Sequence, residues 1–204
     1  VTQATDVLLN AKNPLIYAGQ GVHYAEAWPQ LKRLAELLAC PGTTSLEGKS
    51  AFPEDHPLAL GSGGRAIPRT VHEYLQNADV IFGIGCSFTE TGFGLTIPKG
   101  KTIIHNTVDP VDVNKDVIAQ HALIGDSGLT LDAMLEIVED SLGGVTRDAT
   151  AVAADIAKMK SDWLAEWMPK LTSDDAPLSP YRVLWDLAKT VDPYNTIITH
   201  DAGS

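Results

Sequence analysis

The sequence has few cysteines, which limits the kinds of site that it can build. Cys40 and Cys86 are the only two among 204 residues, too few for a disulfide framework or for a zinc site held by four thiolates. The six histidines show no metal-ligand spacing, and Ser45, Ser87 and Thr91 have no identifiable base beside them. We therefore expect reduced, buried thiols, no metal site built by this chain alone and no catalytic residue within it.

Positive charge is also scarce. The chain has 15 Lys and Arg residues against 26 Asp and Glu residues, which gives a formal net charge of -11. Non-specific binding to nucleic acids or to acidic membranes requires basic surfaces. We therefore expect neither nucleic acid nor a membrane among its partners.

Long hydrophobic runs are missing, although 44% of the residues are hydrophobic. The longest apolar segments have the length of a strand and are too short to span a bilayer. No basic and apolar leader is apparent near Val1. These observations predict a globular protein of the cytoplasm.

The two ends of the chain are abrupt. Val1 is not an initiator residue, and the apolar run 196–199 leads into residues 200–204, where the sequence stops. The turn after a parallel strand commonly faces a ligand crevice. We therefore expect the chain to be an excised piece of a larger protein and to be inactive alone.

Short β-branched runs alternate with helical segments along the chain. This alternation predicts an α/β fold, a doubly wound and mostly parallel sheet of five to six strands with helices on both faces. The predicted strands are 15–18, 42–45, 80–84, 102–106 and 121–124, with 196–199 as a further strand near the end.

Helical periodicity and composition predict how the chain divides into domains. Ser127 is the predicted cap of one helix and Pro169 the predicted stop of another. Linker composition in 170–180 separates a central domain, 1–169, from the start of another domain, 181–204. The predicted helices are 2–11, 24–38, 68–75, 127–142, 149–168 and 180–190.

A glycine-containing turn, Ala18-Gly19-Gln20-Gly21, follows the first predicted strand. Nucleotide phosphates often meet free backbone N–H groups at such a turn. However, Tyr24 stands where the G-x-G-x-x-G fingerprint requires its third glycine. The sequence is therefore compatible with two interpretations of this segment, a ligand-binding turn and a tight turn without a ligand.

Other strand ends carry similar signals. Gly83 to Ser87 ends the third predicted strand, and the long loop 88–100 follows it. The glycine cluster at 61–64 precedes Arg65, which suits either a phosphate or a surface turn. Asp126 can accept hydrogen bonds from an adenine amine or from ribose hydroxyls, and it can equally serve as the anion at a helix start.

Several phrases, taken in order, resemble one family. The segments 11–21, 48–58 and 78–88 are similar to the central domain of thiamine-diphosphate enzymes of the acetolactate synthase and pyruvate decarboxylase type. The stretch 105–115 and the Gly-Asp step at 125–126 extend the resemblance over approximately residues 1–142. Each phrase alone is unspecific, whereas their order and spacing together are characteristic.

The resemblance implies three consecutive α/β domains, of which this chain is the Rossmann-like, deoxyhypusine synthase-like one in the middle. The larger enzyme would be a 2-oxoacid decarboxylase or carboligase that uses thiamine diphosphate and Mg²⁺ and forms a homodimer or homotetramer. Its catalytic groups would lie in the missing pyrimidine- and diphosphate-binding domains. Asp201, Gly203 and Ser204 would lie near the diphosphate of the thiamine cofactor.

Some members of this family hold a flavin or an adenine nucleotide in the central domain. Acetolactate synthases usually have Arg-Phe-Asp-Asp-Arg where residues 87–91 of this chain are Ser-Phe-Thr-Glu-Thr. Losing both arginines removes the bidentate donors expected near phosphates, which argues against FAD. An ADP-like nucleotide and an empty crevice both remain open. By resemblance, the nucleotide-binding residues would be Gly19, Gly21, Thr44, Gly61 and Asp126.

Two alternatives belong to other functional classes. A stand-alone NAD-binding module of the sirtuin or deoxyhypusine synthase type would also place a step like Gly85-Cys86-Ser87 after a strand. A purely structural interaction domain would use Trp163 and Trp167 as part of a contact surface, although packing inside the domain explains them equally well.

Overall fold

The computed structural model describes residues 1–199, and the core of this part is a six-stranded parallel sheet. Every pair of neighbouring strands is parallel, and the strand order is β3-β2-β1-β4-β5-β6. The fold class predicted from the sequence is confirmed. The strands are β1 Pro14–Ala18, β2 Gly42–Thr44, β3 Ala59–Ser62, β4 Val80–Ile84, β5 Thr102–Thr107 and β6 His121–Ile124.

Helices cover both faces of the sheet. The helices are α1 Thr2–Leu9, α2 Gly21–Tyr24, α3 Trp28–Leu38, α4 Arg69–Asn77, α5 Ser127–Leu142, α6 Thr150–Leu171 and α7 Pro180–Thr190, with a 3₁₀ turn at Pro110–Asp112. Helices α1, α3 and α5 pack on the face that carries Ile16 and Phe82, and α4 with the start of α6 packs on the face that carries Leu15 and Ile81. Alternate residues of β1 and β4 therefore enter different cores.

The predicted helix 24–38 is interrupted in the structure. Glu26 adopts a φ of 50°, which a continuous α-helix does not allow. Pro29 then lies in the first turn of α3, where its missing N–H has no cost. The segment therefore forms α2 and α3 in place of one helix.

Two further predictions about helix ends are wrong. Asp126, rather than Ser127, caps α5, because its carboxylate accepts a hydrogen bond from Leu129 N at 3.0 Å. Pro169 lies inside α6 instead of ending it. A proline removes one backbone donor, but Pro169 lies in the last turn, so the loss affects only the end of the helix, which continues to Leu171.

Strand β3 was not predicted, because Ala59-Leu60-Gly61-Ser62 lacks β-branched residues and carries a glycine. It forms by pairing with β2, with Thr44 opposite Ser62. Near the end of the described residues, a predicted strand is not formed. The run 196–199, predicted as a strand, is assigned no strand there, because a strand requires a pairing neighbour.

The chain divides by compactness into two units, Val1–Lys160 and from Ser161 onward. Within the second unit, Trp163 and Trp167 stack with ring centroids 5.6 Å apart, and Trp167 meets the ring of Tyr181 edge-on at 5.2 Å. Arg182 donates to Asp174 and to Asp186, at 2.7 Å in each case. The two tryptophans thus pack inside their own unit, and the boundary placed at 170–180 stays a prediction.

Candidate functional site

A crevice of about 500 Å³ opens at the carboxyl ends of the strands. The strand order reverses between β1 and β4, and α/β proteins hold ligands at such a reversal. The turns after all six strands contribute to the crevice, and the predicted loop 88–100 supplies one wall. The lining residues include Gly19, Gly21, Glu47, Gly85, Phe88 and Asp126.

The crevice brings together some of the predicted nucleotide-binding residues. Gly19, Gly21 and Asp126 line it, whereas Thr44 and Gly61 line a separate shallow depression. The Thr44 hydroxyl donates to Ser62 Oγ at 3.1 Å.

Further residues that follow β2 and β3 do reach the crevice, namely Ser45 and Gly63. Asp201, Gly203 and Ser204 lie outside the described residues. Their predicted place near a thiamine diphosphate stays a prediction.

Gly19 and Gly21 pack against the turn that follows β4. Gly19 N donates to Ile84 O at 2.9 Å, and Gly21 N donates to Gly85 O at 2.8 Å. A Cβ atom on Gly19 would overlap the carbonyl oxygen of Gly85, and one on Gly21 would lie 2.7 Å from Gly85 Cα. These glycines are therefore required for the close approach of two turns, with or without a ligand.

Asp126 acts at the start of α5. Its backbone is extended and its Oδ1 accepts from Leu129 N, the geometry of an N-cap. This supports the interpretation of Asp126 as a helix-start anion. Asp126 also lies on the crevice wall, and its contact with a ligand stays a prediction.

Asn106, at the end of β5, connects the strand ends that form the crevice floor. Its Oδ1 accepts from Gly85 N at 3.1 Å and from Ser127 Oγ at 3.0 Å. Its Nδ2 lies 3.0 Å from each of three acceptors, Leu123 O, Gly125 O and Thr130 Oγ1, so one of its two hydrogens is shared between two of them. Asn106 is fully buried. Sequence reasoning missed it, since one asparagine in an apolar strand carries no signal of these five bonds.

An aromatic group lies beneath the crevice. The ring of Phe88 stacks on Tyr17 with centroids 5.6 Å apart and meets His105 edge-on at 4.9 Å. Phe88 adopts a φ of 49°, and its side chain is buried. His105 is fully buried, with Nε2 2.8 Å from Cys86 O. This contact makes Nε2 the protonated nitrogen, and Nδ1 has no hydrogen-bond partner within the described residues.

The burial of His105 predicts a pH-dependent stability. Burial lowers the pKa of His105 below its ordinary value of 6.5, so the unfolded chain takes up this proton more readily than the folded one. The free energy of unfolding should fall as the pH drops below 6.5, with a slope of up to about 1.4 kcal/mol per pH unit for one proton. Urea unfolding at a series of pH values measures this slope.

Two histidine variants test whether His105 causes the pH dependence of the free energy of unfolding. His105→Gln should remove it, and exposed His72→Gln should leave it unchanged. A stability that does not change over this pH range in the unmodified chain would contradict the assignment of a buried, neutral His105.

Both thiols are buried, and burial raises the pKa of Cys40 and of Cys86 well above the ordinary value. Since the thiolate is the reactive form, we expect iodoacetamide to modify both on the order of 100-fold more slowly in the folded chain than in guanidinium. Mass spectrometry over time measures this. Ser141→Cys, at an exposed position, is the control that should react rapidly. Rapid modification of Cys86 would show that the crevice exposes its sulfur.

The described residues carry neither of two features that would suggest other kinds of site. They contain no group of three or more His, Cys, Asp or Glu side chains positioned to hold a metal ion. Among the same residues, no helix has the length and hydrophobicity needed to cross a membrane.

Comparison with known protein families assigns most of the chain to one family. Residues 1–134 match the family described as the central domain of thiamine pyrophosphate enzymes. This chain belongs to that family. The resemblance found in the sequence is therefore confirmed. In this chain, the central domain of the family is built on the six-stranded parallel sheet.

Relatives of this central domain are longer proteins. The chain is 33% identical over 218 residues to "Probable acetolactate synthase large subunit" of Methanocaldococcus jannaschii, covering 100% of this chain and 34% of the relative. It is 28% identical over 196 residues to glyoxylate carboligase of Escherichia coli O157:H7, covering 93% and 32%. The chain thus spans about a third of the length of the curated relatives that it matches.

A solved structure gives the same family. A protein from Mycobacterium smegmatis, assigned as a thiamin diphosphate-dependent enzyme, superposes with a TM-score of 0.56 and 27% identity. The match covers 66% of this central domain and 26% of that chain. These relatives give no support to the alternative of a stand-alone NAD-binding module.

Proposed function

We propose that this chain serves as the central domain of a longer enzyme, dependent on thiamine diphosphate and Mg²⁺, that decarboxylates or ligates 2-oxo acids. The observation that carries the proposal is the family match over residues 1–134, together with full coverage of this chain by an acetolactate synthase relative about three times as long. When bound, thiamine diphosphate supplies an electron sink for the carbanion that decarboxylation leaves.

The residues of the central domain support a structural role. Its two thiols are buried, and the ring of His105 is buried and neutral. The described part of the chain also offers no cluster of three metal-binding side chains. The cofactor and metal would accordingly be held by the pyrimidine- and diphosphate-binding domains, with Asp201, Gly203 and Ser204 contributing near the diphosphate. The central domain would set the spacing between those two domains.

Helix α7 supports the assignment of 181–204 to the start of the diphosphate-binding domain. One side of this helix exposes Val183 (53%), Leu184 (63%) and Leu187 (37%). An apolar helix face of this kind is normally packed against another element. We assign its cover to the remainder of the diphosphate-binding domain, in a cytoplasmic homodimer or homotetramer.

The test is turnover by the longer protein. A polypeptide that joins this chain to both flanking domains should convert pyruvate or another 2-oxo acid only when thiamine diphosphate and Mg²⁺ are present. Product analysis shows which reaction occurs, because decarboxylation gives an aldehyde and ligation gives a hydroxy-oxo acid. The 204-residue chain alone should be inactive. Turnover by the isolated chain, or none by a folded longer protein that binds the cofactor, would contradict the proposal.

A further inference from the structure

The crevice lies where the family resemblance would place a flavin or an adenine nucleotide. FAD and ADP both carry two adjoining phosphates. A protein binds these through free backbone N–H groups at glycine turns or through Lys and Arg side chains. Both kinds of donor can be traced in the described residues.

The glycine N–H groups around the crevice already have partners inside the protein. Gly19 N and Gly21 N donate to the carbonyl oxygens of Ile84 and Gly85. Gly63 N donates to Thr44 O at 2.6 Å. The N–H of Gly85 itself donates to the buried side chain of Asn106 at 3.1 Å. A phosphate at these turns would have to displace hydrogen bonds that hold the strand ends together.

The charge of the crevice wall is of the wrong sign for phosphates. Four carboxylate residues line it, and the lining residues include no Lys or Arg. Lys115 approaches the rim, where its Nζ lies 3.4 Å from Thr89 Oγ1. Within a low-dielectric cleft, like charges a few ångströms apart repel strongly. The four carboxylate residues are Glu47, Glu90, Asp112 and Asp126.

The aromatic group beneath the crevice offers little surface to a flavin ring. Phe88 is only 6% exposed and Tyr17 only 7% exposed. One face of each ring is used in the stack between them, and the ring of His105 also packs against Phe88, at a steep angle to it. Stacking a ligand on these rings would require opening a packed part of the core.

We propose that the crevice of this central domain excludes phosphate-bearing nucleotides, FAD and ADP alike, and that its glycines and Asn106 serve to join the ends of β1, β4, β5 and β6. The inference rests on hydrogen bonds and charges within the chain and is independent of the 2-oxoacid activity. We therefore expect a longer protein built on this domain to be purified without flavin.

The test is direct titration of the 204-residue chain with FAD and with ADP. Calorimetry should show no saturable heat, which corresponds to a dissociation constant weaker than about 1 mM. The midpoint of thermal unfolding should not change with either ligand at a concentration of about 1 mM. Saturable binding of FAD or ADP with a dissociation constant tighter than about 1 mM would overturn the proposal.

A second measurement uses the longer protein and does not depend on the behaviour of the isolated chain. Purified from cells and heat-denatured, it should release no flavin absorbance or fluorescence. Stoichiometric flavin in the supernatant would overturn the proposal. If the protein contains no flavin and also shows no 2-oxoacid turnover, the proposed function fails while this inference stands, so the two failures are distinguishable.

Discussion

Replacing Asn106 with leucine should lower the free energy of unfolding by about 4 kcal/mol, because the side chain satisfies five partners in a fully buried position. Leucine has a similar size but can neither donate nor accept. It would leave the N–H of Gly85 and the carbonyl oxygens of Leu123 and Gly125 without this partner inside the protein. Urea unfolding followed by circular dichroism measures the loss.

A matched control separates these buried bonds from the general effect of an Asn to Leu change. Asn10 is exposed, and its side chain donates a single hydrogen bond, from Nδ2 to Asp6 O at 2.7 Å. Asn10→Leu should therefore cost less than about 1 kcal/mol. Equal losses in the two variants would show that the network around Asn106 does not hold the crevice floor together.

Gly19→Ala should lower the free energy of unfolding by about 3 kcal/mol. The added Cβ would overlap Gly85 O and lie 2.6 Å from Cys86 Cβ. Neither neighbour is the mobile end of a long side chain, so the turns after β1 and β4 would have to separate. That separation would also lengthen the bond from Gly19 N to Ile84 O.

Gly92→Ala is the control for this prediction, because no atom lies within 4 Å of a Cβ built at Gly92. It should change the stability by no more than about 0.5 kcal/mol. A Gly19→Ala variant as stable as Gly92→Ala would mean that the turns after β1 and β4 are not in close contact.

The sheet could largely be predicted from the sequence, because most of its strands are short β-branched runs between helices. Five predicted runs, such as 80–84 and 102–106, are strands in the structure. Strand β3 lacks that signal and depends on pairing with β2, a tertiary effect that local patterns do not contain. The same reason explains why the apolar run 196–199 is assigned no strand among the described residues.

The crevice was predicted in part. Strand ends with glycine or aspartate pointed to Gly19, Gly21 and Asp126, which line it. Local motifs gave no sign that Thr44 and Gly61 lie in a different depression. That outcome depends on how β2 and β3 pair, and the register of these two strands shifts between Gly42 and Thr43.

The roles of the lining residues depended on partners distant in sequence. The sequence left open whether Gly19 and Gly21 bind a ligand or form a tight turn. Their contacts with Gly85, more than sixty positions away, show the packing role. Asn106 likewise gains its importance from partners on other strand ends and on α5, so no spacing within β5 could have identified it.

The central claim is that this chain supports a cofactor held by neighbouring domains. Calorimetric titration with thiamine diphosphate and Mg²⁺ tests it most directly, carried out on the 204-residue chain and on the longer protein with both flanking domains. We predict saturable, Mg²⁺-dependent binding by the longer protein and none by the chain alone. Binding of comparable affinity by the chain alone would contradict the account.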